Sequence, residues 1–357
     1  MAEQLTNYQC PACTAPLNFS PDTGKLDCEF CDSSFTVAEI EALYADKNQR
    51  AAQAWDDSEL HRQWQPDENL LTCNCPACGA ELICEETTVA SCCPYCGNPT
   101  VIPGQFKDDL QPDYVIPFKL TKEKAIAALA KHYKKCPLLP KTFRTSNTLE
   151  KIQGVYVPFW LYDGKVSGSF RFDAVRVHTH RQGDWVITEK EHFDVARSGS
   201  IAFEKVPVDA SSKMPDDYMD SIEPFDYTEL KPFASSYLSG FLADKYDVSV
   251  ADSNSRADQR CINTLEQSMQ DTVLGFQQCH VRSRNVQLER GKVHYALLPV
   301  WMLNVKWKDQ SYLLAINGQT GRTVGSLPAS FGQALLLFAK IALPLSVLGV
   351  LIVQVLG

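Results

Sequence analysis

The sequence predicts an α+β protein in three parts: two tandem N-terminal cysteine ribbons, a mixed antiparallel-sheet and helix domain, and a C-terminal apolar helix. Three observations carry that expectation. Eight of the 14 cysteines fall into one spacing that occurs twice before residue 104. Short apolar and aromatic runs alternate with helical stretches between residues 105 and 330. The last stretch, 331–357, holds a single charge, Lys340. A chain of 357 residues has room for two or three domains. The expected boundaries are 1–36 for the first ribbon, 37–68 for a helical spacer, 69–104 for the second ribbon, 105–330 for the α+β domain and 331–357 for a membrane helix.

The ribbons rest on a repeat. Cys10-Pro-Ala-Cys13 precedes Cys28-Glu-Phe-Cys31 with fourteen residues between the pairs, and Cys75-Pro-Ala-Cys78 precedes Cys93-Pro-Tyr-Cys96 with fourteen again. A shift of 65 residues maps one set onto the other and aligns Leu17 with Leu82 and Ala15 with Ala80. That is an internal duplication. Two residues between cysteines make a tight turn that aims both sulfurs at one point, and two such turns complete a tetrahedron. Cys10, Cys13, Cys28 and Cys31 therefore form one expected metal site, and Cys75, Cys78, Cys93 and Cys96 the other. Two structural zinc ions are expected, although iron takes the same four thiolates. With a fourth protein ligand, neither site keeps a position for a catalytic water. Gly79 and Gly97 each follow the second cysteine of a knuckle, where a left-handed backbone is useful. Cys73, Cys84 and Cys92 fall outside the repeat; Cys136, Cys261 and Cys279 read as small packing residues.

Between the ribbons, Thr36-Val-Ala-Glu39 has the capping-box pattern. Ile40, Leu43, Tyr44, Ala51, Ala54 and Trp55 give the following helix one apolar stripe. A second short helix is expected over 57–64, before Pro66.

In the central region, Tyr114 to Phe118 reads as a strand, and Thr121 can cap a helix reaching about Lys135, with Ile126, Leu129, Ala130 and Tyr133 on one face. Val155 to Tyr162 reads as a strand ended by the turn signal Asp163-Gly164. A hairpin turning at Gln182-Gly183 places Arg181 opposite Asp184, Arg176 opposite Glu189, Asp173 opposite His192, Arg171 opposite Asp194 and Phe172 opposite Phe193, and opposite charges across a ladder attract. His178 and His180 share a face of that hairpin and read as packing or solvent-facing side chains. Pro117, Pro158 and Pro299 each lie between apolar residues, and a proline cannot donate to a ladder, so each is expected at a strand start or sheet edge. Helices are expected over 215–222, 236–246 and 254–274. The final strands, Tyr312 to Ile316 and Arg322 to Gly325, flank Asn317-Gly-Gln-Thr-Gly321, a turn-rich connection.

Ile341 to Gly357 contains only Ser346 and Gln354 as polar residues. With Ala334 to Ala339 added it reaches bilayer length, about 20 residues, with Lys340 extended toward an interface. Pro344 and Gly349 weaken a helix in water but are common in membrane helices. A single span is expected, anchoring the chain by its tail. Met1 to Cys10 shows no basic region and no apolar run, so no signal peptide is expected. Thiolates that must stay reduced then place the ribbons in the cytoplasm, against the cytoplasmic membrane.

Charge and missing motifs narrow the function. Residues 1–104 carry four Lys/Arg against sixteen Asp/Glu, a net −12, whereas 105–330 is near neutral at +2. Binding to nucleic acid is dominated by Lys and Arg on phosphate, so an acidic ribbon half makes it unlikely as the partner. No G-x-x-x-x-G-K-[S/T], G-x-G-x-x-G, H-E-x-x-H or G-x-S-x-G motif occurs. No catalytic residue, cofactor-binding residue or small-molecule substrate is assigned.

The doubled cysteine knuckles, Val157-Pro-Phe-Trp-Leu-Tyr162, Pro207-Val-Asp-Ala-Ser211 and Asn317-Gly-Gln-Thr-Gly321 before an apolar tail resemble bacterial proteins described as TFIIB-type zinc-ribbon-containing. Some of those carry a label likening them to the primosomal helicase PriA; lacking a phosphate loop, this chain gives a helicase no support. The expected function is a zinc-binding, membrane-tethered cytoplasmic adaptor or scaffold whose acidic double ribbon binds a protein partner. The alternatives are a nucleic-acid-binding ribbon protein of replication or transcription, and an enzyme of the α+β domain.

Overall fold

The computed structural model describes residues 10–13, 17–20, 25–40, 42–44, 53–60, 70–85, 93–96, 102–104, 110–140, 143, 149, 151–238, 241–308 and 310–356. In chain order its strands begin with β1 (Asn18–Ser20), β2 (Lys25–Asp27), β3 (Ser34–Thr36), β4 (Leu70–Asn74), β5 (Glu81–Glu85), β6 (Ile102–Gly104) and β7 (Tyr114–Val115). Helix α1 (Lys122–Lys134) precedes the long strands β8 (Gln153–Gln182) and β9 (Trp185–Asp209). Then come α2 (Asp216–Ile222), β10 (Lys231–Pro232), β11 (Leu242–Asp244), α3 (Val250–Asp271), β12 (Gln278–Trp307), β13 (Gln310–Asn317), β14 (Thr323–Gly325) and α4 (Phe331–Leu356). This is a mixed α+β fold with a large sheet and few helices.

The chain clusters into two compact units, each gathered from three separated stretches. One holds Met1–Glu59, Leu161–Val208 and Val250–His294; the other holds Leu60–Trp160, Asp209–Ser249 and Tyr295–Gly357. Strands β8 and β12, each 30 residues long, contribute to both.

The first unit opens with an antiparallel β1-β2-β3 meander, in register at Phe19↔Leu26↔Phe35. Residues 37–40 and 42–44 are helical behind it. The capping box forms as its pattern demands: the Glu39 amide donates to Thr36 Oγ1 at 3.2 Å, and the Thr36 amide donates to Glu39 Oε2 at 2.8 Å. Ile40 and Tyr44 then close a small core over Cys10, Leu17, Leu26 and Cys28. Trp55 leaves the expected stripe. It is buried edge-on against Tyr162 at 4.8 Å and donates to Asp258 Oδ1 at 3.0 Å. Of the expected 57–64 helix, residues 58–60 form a turn instead, beside an isolated bridge of Asp56 to Lys292; 61–64 lie outside the described residues.

The rest of this unit is β8 from Leu161, β9, β12 up to His294, and α3. Helix α3 buries Val250, Ser253, Ala257, Cys261 and Leu265, a three-and-four spacing that puts them on one face. Asp163-Gly164 is not a turn; β8 runs straight through it. The glycine serves close approach, because a Cβ at Gly164 would lie 3.0 Å from the Glu289 carbonyl oxygen and one at Gly291 only 2.4 Å from that of Asp163. The β8–β9 loop is Gly183-Asp184, one residue later than expected. Gly183 has φ +62°, the left-handed geometry a two-residue hairpin demands. That moves the register by two positions and keeps every side chain on its face. Arg176 therefore meets Glu191 rather than Glu189, at 4.0 Å. Arg171 and Asp194 (3.1 Å) and Asp173 and His192 (3.3 Å) still touch, as diagonal neighbours. Phe193 packs on Phe276 (5.2 Å) instead of Phe172.

The second unit is a sheet in the order β10-β7-β12-β8-β11-β5-β4-β6, with β13 and β14 continuing from β12. Helix α1 covers it, burying Ala125, Leu129 and Tyr133 over Trp301, Leu303, Val305, Leu314 and Ile316. Thr121 precedes α1 but makes no side-chain cap bond. Phe118 stacks on Phe241 at 4.1 Å, with Tyr156 and Trp301 edge-on to it. Pro158 and Pro299 lie inside long strands, not at their starts. Each is tolerated where a ladder changes hands: the β8–β11 register reaches Tyr156, and Pro299 falls between the β7 ladder at Leu297 and the β13 ladder at Val300. The proline carbonyls accept from the Ala210 amide (2.9 Å) and the Gly318 amide (2.8 Å).

Over 236–246, where a helix was expected, a 3-10 turn Ser235–Leu238 leads to strand β11. Its residues are buried and it pairs on both sides, parallel to β8 and antiparallel to β5, a setting that overrides local propensity. The 317–321 loop is a hairpin connection held from outside. Asn317 Nδ2 donates to the carbonyls of Ile222 (3.1 Å) and Pro224 (3.2 Å), and Gln319 exchanges hydrogen bonds with Asp226.

Helix α4 contains Pro344, and its side chains are described through Ser346. Among the described residues no helix is long and apolar enough to cross a membrane.

Candidate metal centres

Two groups of cysteine thiols stand out, Cys10/Cys13/Cys28/Cys31 and Cys75/Cys78/Cys93/Cys96, with all Sγ atoms of a group within 4.8 Å of one another. Cys10 lies 3.6 Å from Cys31 and Cys13 lies 3.4 Å from Cys28; in the second group Cys75–Cys96 is 3.7 Å and Cys78–Cys93 3.6 Å. A tetrahedron with metal–sulfur bonds of about 2.3 Å sets sulfurs about 3.8 Å apart. The donor set fits one metal ion per group, and the two groups fit tandem ribbons. The eight expected ligand positions are thus brought together in the expected fours. His178 and His180 join no such group among the described residues; His178 Nε2 lies 3.8 Å from Glu191.

Local backbone builds each knuckle. The Gly79 amide donates to the Cys75 carbonyl at 2.8 Å, with φ +69° at Gly79. In the first ribbon Asp32 does the same job, donating to the Cys28 carbonyl at 3.0 Å with φ +55°. Asp32 corresponds to Gly97 under the 65-residue shift, and Gly97 lies outside the described residues. An aspartate tolerates this backbone better than most side chains.

The thiols pull apart electrostatically. Burial pushes Cys93 and Cys78 up. Burial also raises Cys75, but the amides of Cys78 and Ala77 outweigh it and bring it to about 6. The Ser33 hydroxyl, 3.3 Å from Cys31 Sγ, is the largest influence bringing Cys31 to about 6. Coordination by a divalent cation deprotonates all four outright.

The surroundings of the second site escaped sequence reasoning. Strand β5 pairs with β11 at Leu82↔Asp244 and Ile83↔Ala243. Lys213 Nζ donates to the Cys78 carbonyl at 3.2 Å, Asn304 Nδ2 to the Tyr95 carbonyl, and Lys245 Nζ pairs with Glu81 at 3.0 Å. Only Ser211 had a signal, within the Pro207 to Ser211 motif. It is buried and donates to Asp244 at 2.6 Å. Lys213, Asp244 and Asn304 are distant in sequence and carry no motif.

Asp244 makes this surround pH-sensitive. Burial pushes its carboxyl up to about 7, against the Ser211 and Tyr95 hydroxyls, which lower it. An unfolded aspartate titrates at about 3.9, so folding takes up a proton between the two values. The stability from the neutral acid is complete below the unfolded value and is lost as pH rises through about 7. Asp244→Asn is expected to remove that decline and to melt above the parent at pH 8 while matching it at low pH. Thermal melts across the range check this; parallel declines in both proteins would refute it.

No family model and no solved structure matches the chain. It is similar to "Uncharacterized protein YdjG" of Bacillus subtilis (strain 168), 33% identical over 338 residues that cover 95% of this chain and 94% of that protein. Identity of that level along nearly the whole of both chains means that this chain belongs to the same family as YdjG.

Proposed function

We propose that the chain is a zinc-binding adaptor of the TFIIB-type ribbon kind, tethered to the cytoplasmic face of a membrane by its C-terminal helix and binding a protein partner through its acidic ribbon half. The observation that carries this reading is the presence of two four-thiol groups together with a C-terminal helix of exposed apolar side chains. Four protein thiolates per site favour a structural ion over a catalytic one; zinc is the ion proposed, although iron accepts the same four thiolates. Helix α4 runs 26 residues, and Phe331, Leu335, Leu336, Phe338, Ile341, Leu343 and Leu345 are exposed. Water is a poor solvent for such a face, and a bilayer core needs about 20 residues. The described side chains, 331–346, are fewer than that. The net −12 of residues 1–104 supports a protein partner over nucleic acid.

Membrane fractionation tests the tether. The full chain is expected in the membrane pellet, resistant to salt and released by detergent, and the fragment 1–330 in the supernatant. Equal partition of the two would remove the tether. Elemental analysis of the purified chain identifies the metal. Crosslinking in native membranes, followed by affinity purification, tests for a partner.

A further inference from the structure

The two copies of the duplicated knuckle treat one aromatic position in opposite ways. The 65-residue shift that aligns the cysteines also aligns Phe30 with Tyr95. Tyr95 is 7% exposed, and its neighbour Pro94 is buried. Its carbonyl accepts from Asn304 Nδ2, and its hydroxyl lies beside Asp244 and Ser211. The second ribbon thus presses its knuckle aromatic into a prepared surface. Phe30 is 73% exposed, and Glu29, in place of Pro94, is exposed too.

A single exposed apolar side chain is ordinary on a protein surface. Here the internal copy supplies what exposure alone does not, an example of how this turn is used when it is covered. The turn is also rigid. Cys28 and Cys31 on either side are candidate ligands, the Cys28 amide donates to the Ser33 carbonyl at 2.9 Å, and Asp32 donates back to Cys28 at 3.0 Å. Phe30 is therefore held out on a loop that loses little freedom on binding, which favours affinity. Its surround is acidic. Glu29 and Asp32 are exposed beside it, and Lys25 is the sole cation of residues 1–36. A four-thiolate site with a divalent ion adds about −2.

We propose that the Phe30 knuckle of the first ribbon is a docking plug for a partner protein whose receiving pocket has an apolar floor and a rim of Lys and Arg. The floor is apolar because Phe30 has no hydroxyl where Tyr95 has one. The rim is basic because Glu29 and Asp32 face it. This deepens the adaptor reading and rests on it.

The test uses the detergent-purified full chain and a library of displayed random peptides, counter-selected on Phe30→Ala. Enriched peptides are expected to combine aliphatic or aromatic residues with flanking Lys or Arg and to bind the parent at least tenfold more tightly than Phe30→Ala. The double variant Glu29→Lys, Asp32→Lys should lose a similar factor and most of the salt dependence. Phe30→Ala must still carry two metal ions per chain by elemental analysis, so that weaker binding is not unfolding. Acidic or uncharged consensus peptides, or equal binding to Phe30→Ala, overturn the proposal. So does self-association of the full chain that Phe30→Ala abolishes, which would give this face to a second copy. If peptides ignore Phe30 while native membranes still yield a specific crosslinked protein, the plug falls and the adaptor stands. If no protein crosslinks in native membranes, the adaptor falls and the plug falls with it, whatever peptides Phe30 selects.

Discussion

Replacing Cys93 by serine is expected to lower the metal content from two ions per chain to one and to destabilise the second unit by at least about 4 kcal/mol, because structural zinc contributes about 10–16 kcal/mol of binding energy to small ribbons. For a unit of this size that is a fall in melting temperature of about 10 °C or more. The effect spreads because the second ribbon is built into a larger sheet. Strand β5 pairs with β11, and Lys213 and Asn304 reach the knuckles from elsewhere in the chain. Cys28→Ser should also lose one ion, but its damage should stay local. Among the described residues the core over the first ribbon is Cys10, Leu17, Leu26, Cys28, Ile40 and Tyr44, all drawn from the first 44 positions. Elemental analysis with hydrogen exchange over 153–160 and 295–305 separates the two cases. Equal exchange in both variants would mean that the second ribbon is as independent as the first.

Trp160→Ala should cost the second unit about 3–5 kcal/mol, the range for deleting a large buried aromatic. Trp160 is fully buried, packs against Tyr246 at 5.2 Å and Tyr295 at 5.1 Å, and donates from Nε1 to the Val248 carbonyl at 2.9 Å. Alanine leaves a cavity and also strips that carbonyl of its donor. Trp160→Phe restores most of the volume and should recover roughly half of the loss, the remainder reporting the hydrogen bond. Urea melts of the three proteins measure this. A loss under 1 kcal/mol for alanine would show that the site collapses around the gap.

The metal centres were legible because coordination chemistry imposes spacing directly on the sequence. A tetrahedron of sulfurs needs two tight turns, and two tight turns need cysteines three apart. The Thr36–Glu39 box was legible for the same reason, since both partners lie within one turn. The hairpin register was partly legible. Charge pairing identifies a face but not the rung, because Asp173 and Arg171 attract His192 and Asp194 across a diagonal almost as well as directly. Gly164 and the buried strand β11 were opaque. A glycine marking a turn and one allowing a backbone to approach look alike in sequence, and β11 is a strand because of neighbours more than 80 residues away.

The division of each unit among three separated stretches has a consequence for synthesis. At about 5–20 residues per second, the ribosome makes Cys96 well before Leu242, the start of the strand that flanks the second ribbon. The unit containing His294 cannot close until that residue emerges, and the other waits for β13. The first ribbon, with its core complete by Tyr44, can take its metal ion while the rest of the chain is still being made. The nascent protein thus spends most of its synthesis with one folded head and a long run of unpaired strands, the state in which β-rich chains aggregate. Its yield in cells should therefore depend on chaperone capacity and metal supply during translation more than on the stability of the finished fold.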